Sequence, residues 1–125
     1  MSLIQGKRVL VVEDEFFIAM TTCEMLHELG AIVVGPAHTV AEASALAKTA
    51  GIDIALLDVN LYGESSATVA ATLAARGIPV VFATGYTSRP GDHLVGAHVL
   101  GKPFTQETLA AQLNCALEEA SRHEG

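Results

Sequence analysis

Four apolar runs in this sequence lead into polar residues of the kinds that handle metal ions and phosphate. Val9 to Val12 runs into Glu13 and Asp14, Ile54 to Leu57 into Asp58, and Val80 to Ala83 into Thr84. Ala97 to Leu100 is followed, after one glycine, by Lys102. Three carboxylates gathered in a small volume repel one another and resist joint ionisation. A hard divalent cation relieves that conflict, and Mg²⁺ suits a site of few carboxylates completed by water. A hydroxyl from Thr84 and an ammonium from Lys102 beside such a cation can hold the oxygens of a phosphoryl group. That group would be attached to a carboxylate or moving onto one.

Taken singly, each residue has a plainer reading. A Glu-Asp pair before a helix serves as a cap, and an Asp ending a strand serves as a turn residue. A strand-terminal Thr satisfies local backbone, and a Lys before Pro is a solvated loop residue. The joint arrival of all of them at the ends of four strands carries the argument.

The elements that must position them follow from the pattern. Five short apolar runs, Arg8–Val12, Ile32–Val34, Ile54–Leu57, Val80–Ala83 and Ala97–Leu100, read as strands buried on both faces. Between them lie helical patterns with end signals. Asp14 is placed to cap the first helix, which offers Phe17, Ile18, Leu26 and Leu29 as its apolar face and closes at Gly30. Thr39 and Glu42 form a capping-box pattern before Ala43, Leu46 and Ala47, with Gly51 at the end. Ser65 or Ser66 starts the third helix, which runs through Val69 and Leu73 to Gly77. Thr105 caps the last, with Leu109, Leu113 and Leu117 inward. Pro90 and Gly91 leave the fourth helix short or irregular. The expected fold is α/β, a doubly wound (βα)5 flavodoxin-like arrangement. Its five-stranded parallel sheet, ordered 2-1-3-4-5, carries helices on both faces. Ligands of such sheets bind outside the C-terminal strand ends, where the polar residues fall.

Composition narrows the function. A chain of 125 residues is expected to be one domain, residues 1–125, with no output domain. A net charge of −7, with seven scattered Lys and Arg, argues against binding to nucleic acid or an anionic membrane surface. No stretch has the length of a membrane span or the form of an export signal. Cys23 and Cys115 read as two reduced thiols, so a cytoplasmic protein is expected.

The segments "VLVVEDE", "IALLDVNLYGE", "VVFATGY" and "LGKPF" resemble the receiver domains of two-component response regulators (CheY-like), over essentially the whole chain. The resemblance implies that Asp58 is the phosphoacceptor, taking a phosphoryl group from a histidine of a sensor kinase or a histidine phosphotransfer protein. It implies Mg²⁺, with Mn²⁺ as a substitute, held by Asp14, Asp58 and the main-chain carbonyl of Asn60, with Glu13 acting through water. Thr84 would follow the phosphoryl oxygen and Lys102 would pair with it, and the Lys102–Pro103 peptide would be cis. Such a chain is a switch rather than an enzyme, and it assists only its own phosphoryl transfer and dephosphorylation.

One position departs from the family pattern. An aromatic residue usually sits three positions before the lysine, and Val99 stands there, so the usual coupling to Thr84 cannot operate in its ordinary form. The run "FATGY" resembles instead the subgroup nicknamed FAT GUY. That subgroup implies alphaproteobacterial signalling, often the general stress response, and partners among atypical sensor kinases; a stand-alone switch would also dock on other response regulators. Gly85 is expected to free the backbone after Thr84. Tyr86 would report the reorganisation of the loop from Gly85 to His93, or simply pack against the rim. Among the five histidines none falls on the acidic rim by pattern, and Arg89 reads as a solvated loop residue.

The leading expectation is therefore a stand-alone phosphorylation switch acting by protein contact, as a relay component or as a phosphate sink. One alternative is a binding module that stays unphosphorylated and binds constitutively. Another is a metal-dependent aspartyl phosphatase, although "EDE" stands where such enzymes carry DxD. A dinucleotide fold is excluded because no GxGxxG follows the first strand.

Overall fold

The computed structural model describes residues 3–85 and 98–124. Along the chain they form β1 (Arg8–Val12), α1 (Phe16–Glu28), β2 (Ile32–Ala37), α2 (Val40–Thr49), β3 (Ile54–Asp58), β4 (Asn60–Leu61) and β5 (Glu64–Ser65). There follow α3 (Ala67–Ala75), β6 (Val80–Thr84), β7 (His98–Gly101) and α4 (Gln106–Glu124). The main sheet is parallel, in the order β2-β1-β3-β6-β7, which is the expected 2-1-3-4-5 arrangement of its five strands. The pair β4–β5 is a separate antiparallel hairpin that the strand pattern did not anticipate. The expected short fourth helix lies at residues outside those described.

Alternation along the strands builds two apolar layers. Leu10, Val12, Leu57 and Phe82 point to one face and pack with Ala43 and Ala47 of α2 and Val69 and Leu73 of α3. Val9, Val11, Leu56 and Val81 point to the other and pack with Leu26 of α1 and Leu109 and Leu113 of α4. Every residue of β3 is buried, so Asp58 is delivered from the centre of the molecule.

Helix ends follow their signals with two exceptions, and one helix face differs from its expectation. At the end of α1, Gly30 takes φ +84°, its N–H donates to His27 O, and Ala31 N–H donates to Leu26 O. Gly77 closes α3 in the same way. Thr39 Oγ1 accepts from Glu42 N–H at 3.1 Å, and Glu42 Oε1 accepts from His38 N–H at 2.9 Å. Thr105 Oγ1 accepts from Thr108 N–H at 3.1 Å. Gly51, however, does not terminate α2, which ends where Ala50 turns extended. Nor does Asp14 cap α1: Glu15 occupies that place, without a side-chain cap. Finally, Phe17 is no core residue: it is 80% exposed, and α1 buries Ala19, Thr22 and Leu26 instead.

Candidate functional site

Glu13, Asp14 and Asp58 meet at the C-terminal edge of the sheet, where each offers a carboxylate oxygen within 4.8 Å of the others. Their meeting is a matter of register. β1 and β3 lie side by side with Val12 opposite Leu57, so the residues that follow each strand emerge together. Glu13 and Asp58 are buried and Asp14 is half-buried.

Lys102 reaches this group from the far side of β6. Its Nζ lies 2.6 Å from Glu13 Oε2 and donates to Asp58 Oδ2 at 3.0 Å. Its main-chain N–H donates to Thr84 O at 2.7 Å, in the register that pairs Thr84 with Gly101. The Lys102–Pro103 peptide is cis, as the resemblance implied. A second cis peptide, Gly35–Pro36, lies in β2.

One ammonium shared between two buried carboxylates leaves the cluster short of positive charge. Burial pushes the Glu13 carboxyl up to about 7, with the bond from Lys102 opposing and the charge of Asp58 adding to the rise. Burial alone would lower the Lys102 ammonium. Its bonds to Glu13 and Asp58 outweigh that and hold it above the ordinary lysine range. Hard oxygen donors, incompletely neutralised and within ligating reach of one another, fit a divalent cation such as Mg²⁺.

The remaining predicted residues fall around this centre. Thr84 ends β6 and is half-buried. Asn60 begins β4, two residues beyond Asp58, with an exposed side chain. Gly85 does not take a left-handed conformation, and a Cβ there would meet nothing within 4 Å. The expected need for glycine's freedom is therefore not seen at this position. Tyr86, Arg89 and His93 lie outside the described residues, so the loop proposed to reorganise after Gly85 is described only at that glycine.

Sequence reasoning missed three residues. His38 does touch the rim: its Nδ1 donates to the Glu13 main-chain carbonyl at 3.0 Å, and its ring lies 6.5 Å from that of Phe16. Ser66, fully buried, donates through Oγ to Val59 O at 3.1 Å and pins the chain just after Asp58. Tyr62 joins β4 to β5 with φ +50°, and Gly63 follows at +81°. This left-handed pair matches the two-residue hairpin turn that ordinarily begins with Asn or Gly. A side chain as large as tyrosine is held there at a cost of roughly 1–2 kcal/mol. The segment "NLYGES" carried one usable signal, a glycine at the second turn position.

Beside the carboxylates, Phe17, Ile18, Thr21, Met25, Pro103 and Phe104 line a mainly apolar groove of about 390 Å³ that Lys102 also borders. Phe16 and Met20 continue the exposed apolar surface of α1. A larger depression of about 740 Å³ lies away from the carboxylates, among Lys7, Asp53, Arg76, Pro79 and Arg122. Among the described residues, no helix is long and apolar enough to cross a membrane.

Comparison with known proteins agrees with this arrangement. The family model of the response regulator receiver domain matches residues 9–114. Transcriptional regulatory protein PdtaR of Mycobacterium tuberculosis is 36% identical over 84 residues, which cover 66% of this chain and 41% of that protein. Phyllosphere-induced regulator PhyR of Methylorubrum extorquens is 34% identical over 116 residues, 87% of this chain and 43% of that protein. The chain thus spans less than half the length of these two curated relatives. The solution structure of SdrG from Sphingomonas melonis Fr1 superposes with a TM-score of 0.82 at 45% identity, covering 94% of this chain and 99% of that one. With a parallel sheet in the receiver order and the family match over most of its length, the chain belongs to the response regulator receiver-domain family.

Proposed function

We propose that this chain is a phosphorylation-controlled switch in which Asp58 accepts a phosphoryl group from a histidine of a sensor kinase or a histidine phosphotransfer protein. The observation that carries this reading is the convergence on Asp58 of a bound ammonium and two further carboxylates. In the transfer, an Asp58 oxygen forms the new O–P bond and the P–N bond of the donor breaks. The imidazole nitrogen keeps that electron pair and takes up a proton.

Asp14, Asp58 and the Asn60 main-chain carbonyl would hold Mg²⁺, with Mn²⁺ as a substitute and Glu13 acting through water. The ion would supply neutralisation of the phosphoryl oxygens. Lys102, 3.0 Å from Asp58 Oδ2, supports a role as the second neutralising charge on the new acyl phosphate. Thr84, bonded through its carbonyl to the Lys102 main chain, supports a hydroxyl contact that reports phosphorylation to the strand β6. The chain turns over no separate substrate; it assists the gain and loss of its own phosphoryl group.

Signalling then proceeds in the cytoplasm by protein contact. The apolar groove beside Lys102, with exposed Phe16, Phe17 and Met20, supports docking of a helix that carries the donor histidine. The "FATGY" run, together with the relatives PhyR and SdrG, supports a place in the alphaproteobacterial general stress response. Transfer of radiolabelled phosphate from a phosphorylated histidine phosphotransfer protein tests the reading. Label is expected to move to the wild-type chain only with Mg²⁺ present. An Asp58→Asn variant that accepts label at the wild-type level contradicts it.

A further inference from the structure

The structure assigns Tyr62 a role as a positioning residue for the cation site, one that anchors Asp14 at two points; this rests on the metal-binding reading above. Glu13 and Asp58 are held from inside by Lys102. Asp14 is held from outside. Its Oδ2 accepts from the Tyr62 main-chain N–H at 2.9 Å, and its main-chain carbonyl accepts from the Tyr62 hydroxyl at 3.3 Å.

Two features indicate that this bracket is selected for something other than stability. First, Asp14 stands where a side-chain cap for α1 was expected, and its carboxylate is engaged with Tyr62 while the helix begins at an uncapped Glu15. Second, Tyr62 adopts φ +50°, which glycine or asparagine would meet with less strain. The residue is 70% exposed, so burial of its ring does not explain the choice. Strained backbone of this kind persists where the surroundings over-determine it, and it concentrates at functional sites.

The physical consequence is preorganisation. A carboxylate already fixed in orientation loses less freedom when it ligates an ion, so affinity rises without any added ligand. The antiparallel pairing of Asn60 with Ser65 and Leu61 with Glu64 closes the hairpin whose turn carries Tyr62. Ser66 ties the end of that hairpin back to Val59.

The test is a Mg²⁺ titration of the full chain followed by amide chemical shifts, paired with thermal unfolding in chelator. Wild type, Asp14→Asn, Tyr62→Phe and Tyr62→Gly are compared. Tyr62→Phe keeps the turn and removes the hydroxyl; it should bind Mg²⁺ about threefold to tenfold more weakly, the worth of one ordinary hydrogen bond. Tyr62→Gly also loses the hydroxyl but relieves the turn. Its affinity should fall at least as far while its unfolding temperature in chelator holds or rises. Opposite movements of affinity and stability are what a merely structural role cannot give. Wild-type affinity, to within about twofold, in both Tyr62 variants overturns the assignment. So does an affinity loss in Tyr62→Gly that only follows lost stability. Saturable wild-type binding abolished by Asp14→Asn upholds the metal reading in either case, whereas no binding by wild type removes both.

Discussion

The Lys102 main chain is bonded to Thr84 while its side chain is bonded to Asp58: N–H to Thr84 O at 2.7 Å and Nζ to Asp58 Oδ2 at 3.0 Å. One residue thus ties the end of β6 to the end of β3. Any charge change at Asp58 acts on Lys102 directly, and any shift of Lys102 pulls on the backbone that carries Thr84.

Lys102→Ala should therefore separate metal binding from the phosphorylated state. Mg²⁺ binding is expected to persist, because the carboxylates remain. The rate of phosphoryl uptake and the conformational effect of phosphorylation should both collapse. In the metal-free protein the substitution leaves the Glu13 and Asp58 carboxylates without their counter-ion, at a cost of roughly 1–3 kcal/mol at pH 8. Unfolding in chelator at pH 8 and pH 6 checks this, with the smaller loss at pH 6, where Glu13 holds a proton.

The raised Glu13 carboxyl makes a pH prediction of its own. Its ordinary value of 4.5 in the unfolded chain rises to about 7 in the fold, so the folded state binds the proton more tightly. The stabilisation is complete below pH 4.5 and is lost as pH rises to about 7, on the order of 3 kcal/mol from this group. Lys102 works in a higher window. Its contribution is full below 10.5 and is lost only as pH rises through its elevated folded value. Unfolding free energies in chelator between pH 5 and 8 should show the Glu13 decline, and saturating Mg²⁺ should flatten it. A stability that rises across that range would contradict the prediction.

Thr39→Ala removes the capping oxygen of α2 and should cost about 1 kcal/mol. The change is remote from the carboxylates, so Mg²⁺ affinity should stay at the wild-type value. Denaturant midpoints and the amide titration measure the two effects separately.

Leu57→Ala empties a fully buried position immediately before Asp58. A loss of roughly 2–5 kcal/mol is expected. Here the loss of stability should also weaken Mg²⁺ binding, since the end of β3 carries a ligand. Such joint loss distinguishes damage to the scaffold from the opposite movements expected of Tyr62→Gly.

What was legible in the sequence follows from what each signal measures. The run Arg8–Val12 was read to the residue, because a strand buried on both faces is apolar along its length. The strand from Ile32 was read three residues short. Gly35 and Pro36 look like breakers, yet β2 is an edge strand, where a proline forfeits no ladder bond. Phe17 misled because ring hydrophobicity says nothing of whether a helix turns that ring inward. The carboxylates, Thr84 and Lys102 were legible because each ends or follows a strand, and parallel register then brings them together. Tyr62 and His38 were not. Their contacts cross between loops, and their meaning lies in a φ angle and in a carbonyl 25 positions away.

The most direct measurement of the central claim is the intact mass of the chain after incubation with acetyl phosphate, with and without Mg²⁺, beside Asp58→Asn. The account predicts a gain of one phosphoryl group in the wild type that requires Mg²⁺ and is absent from the variant. An equal gain in Asp58→Asn, or a wild-type gain indifferent to Mg²⁺, would contradict it.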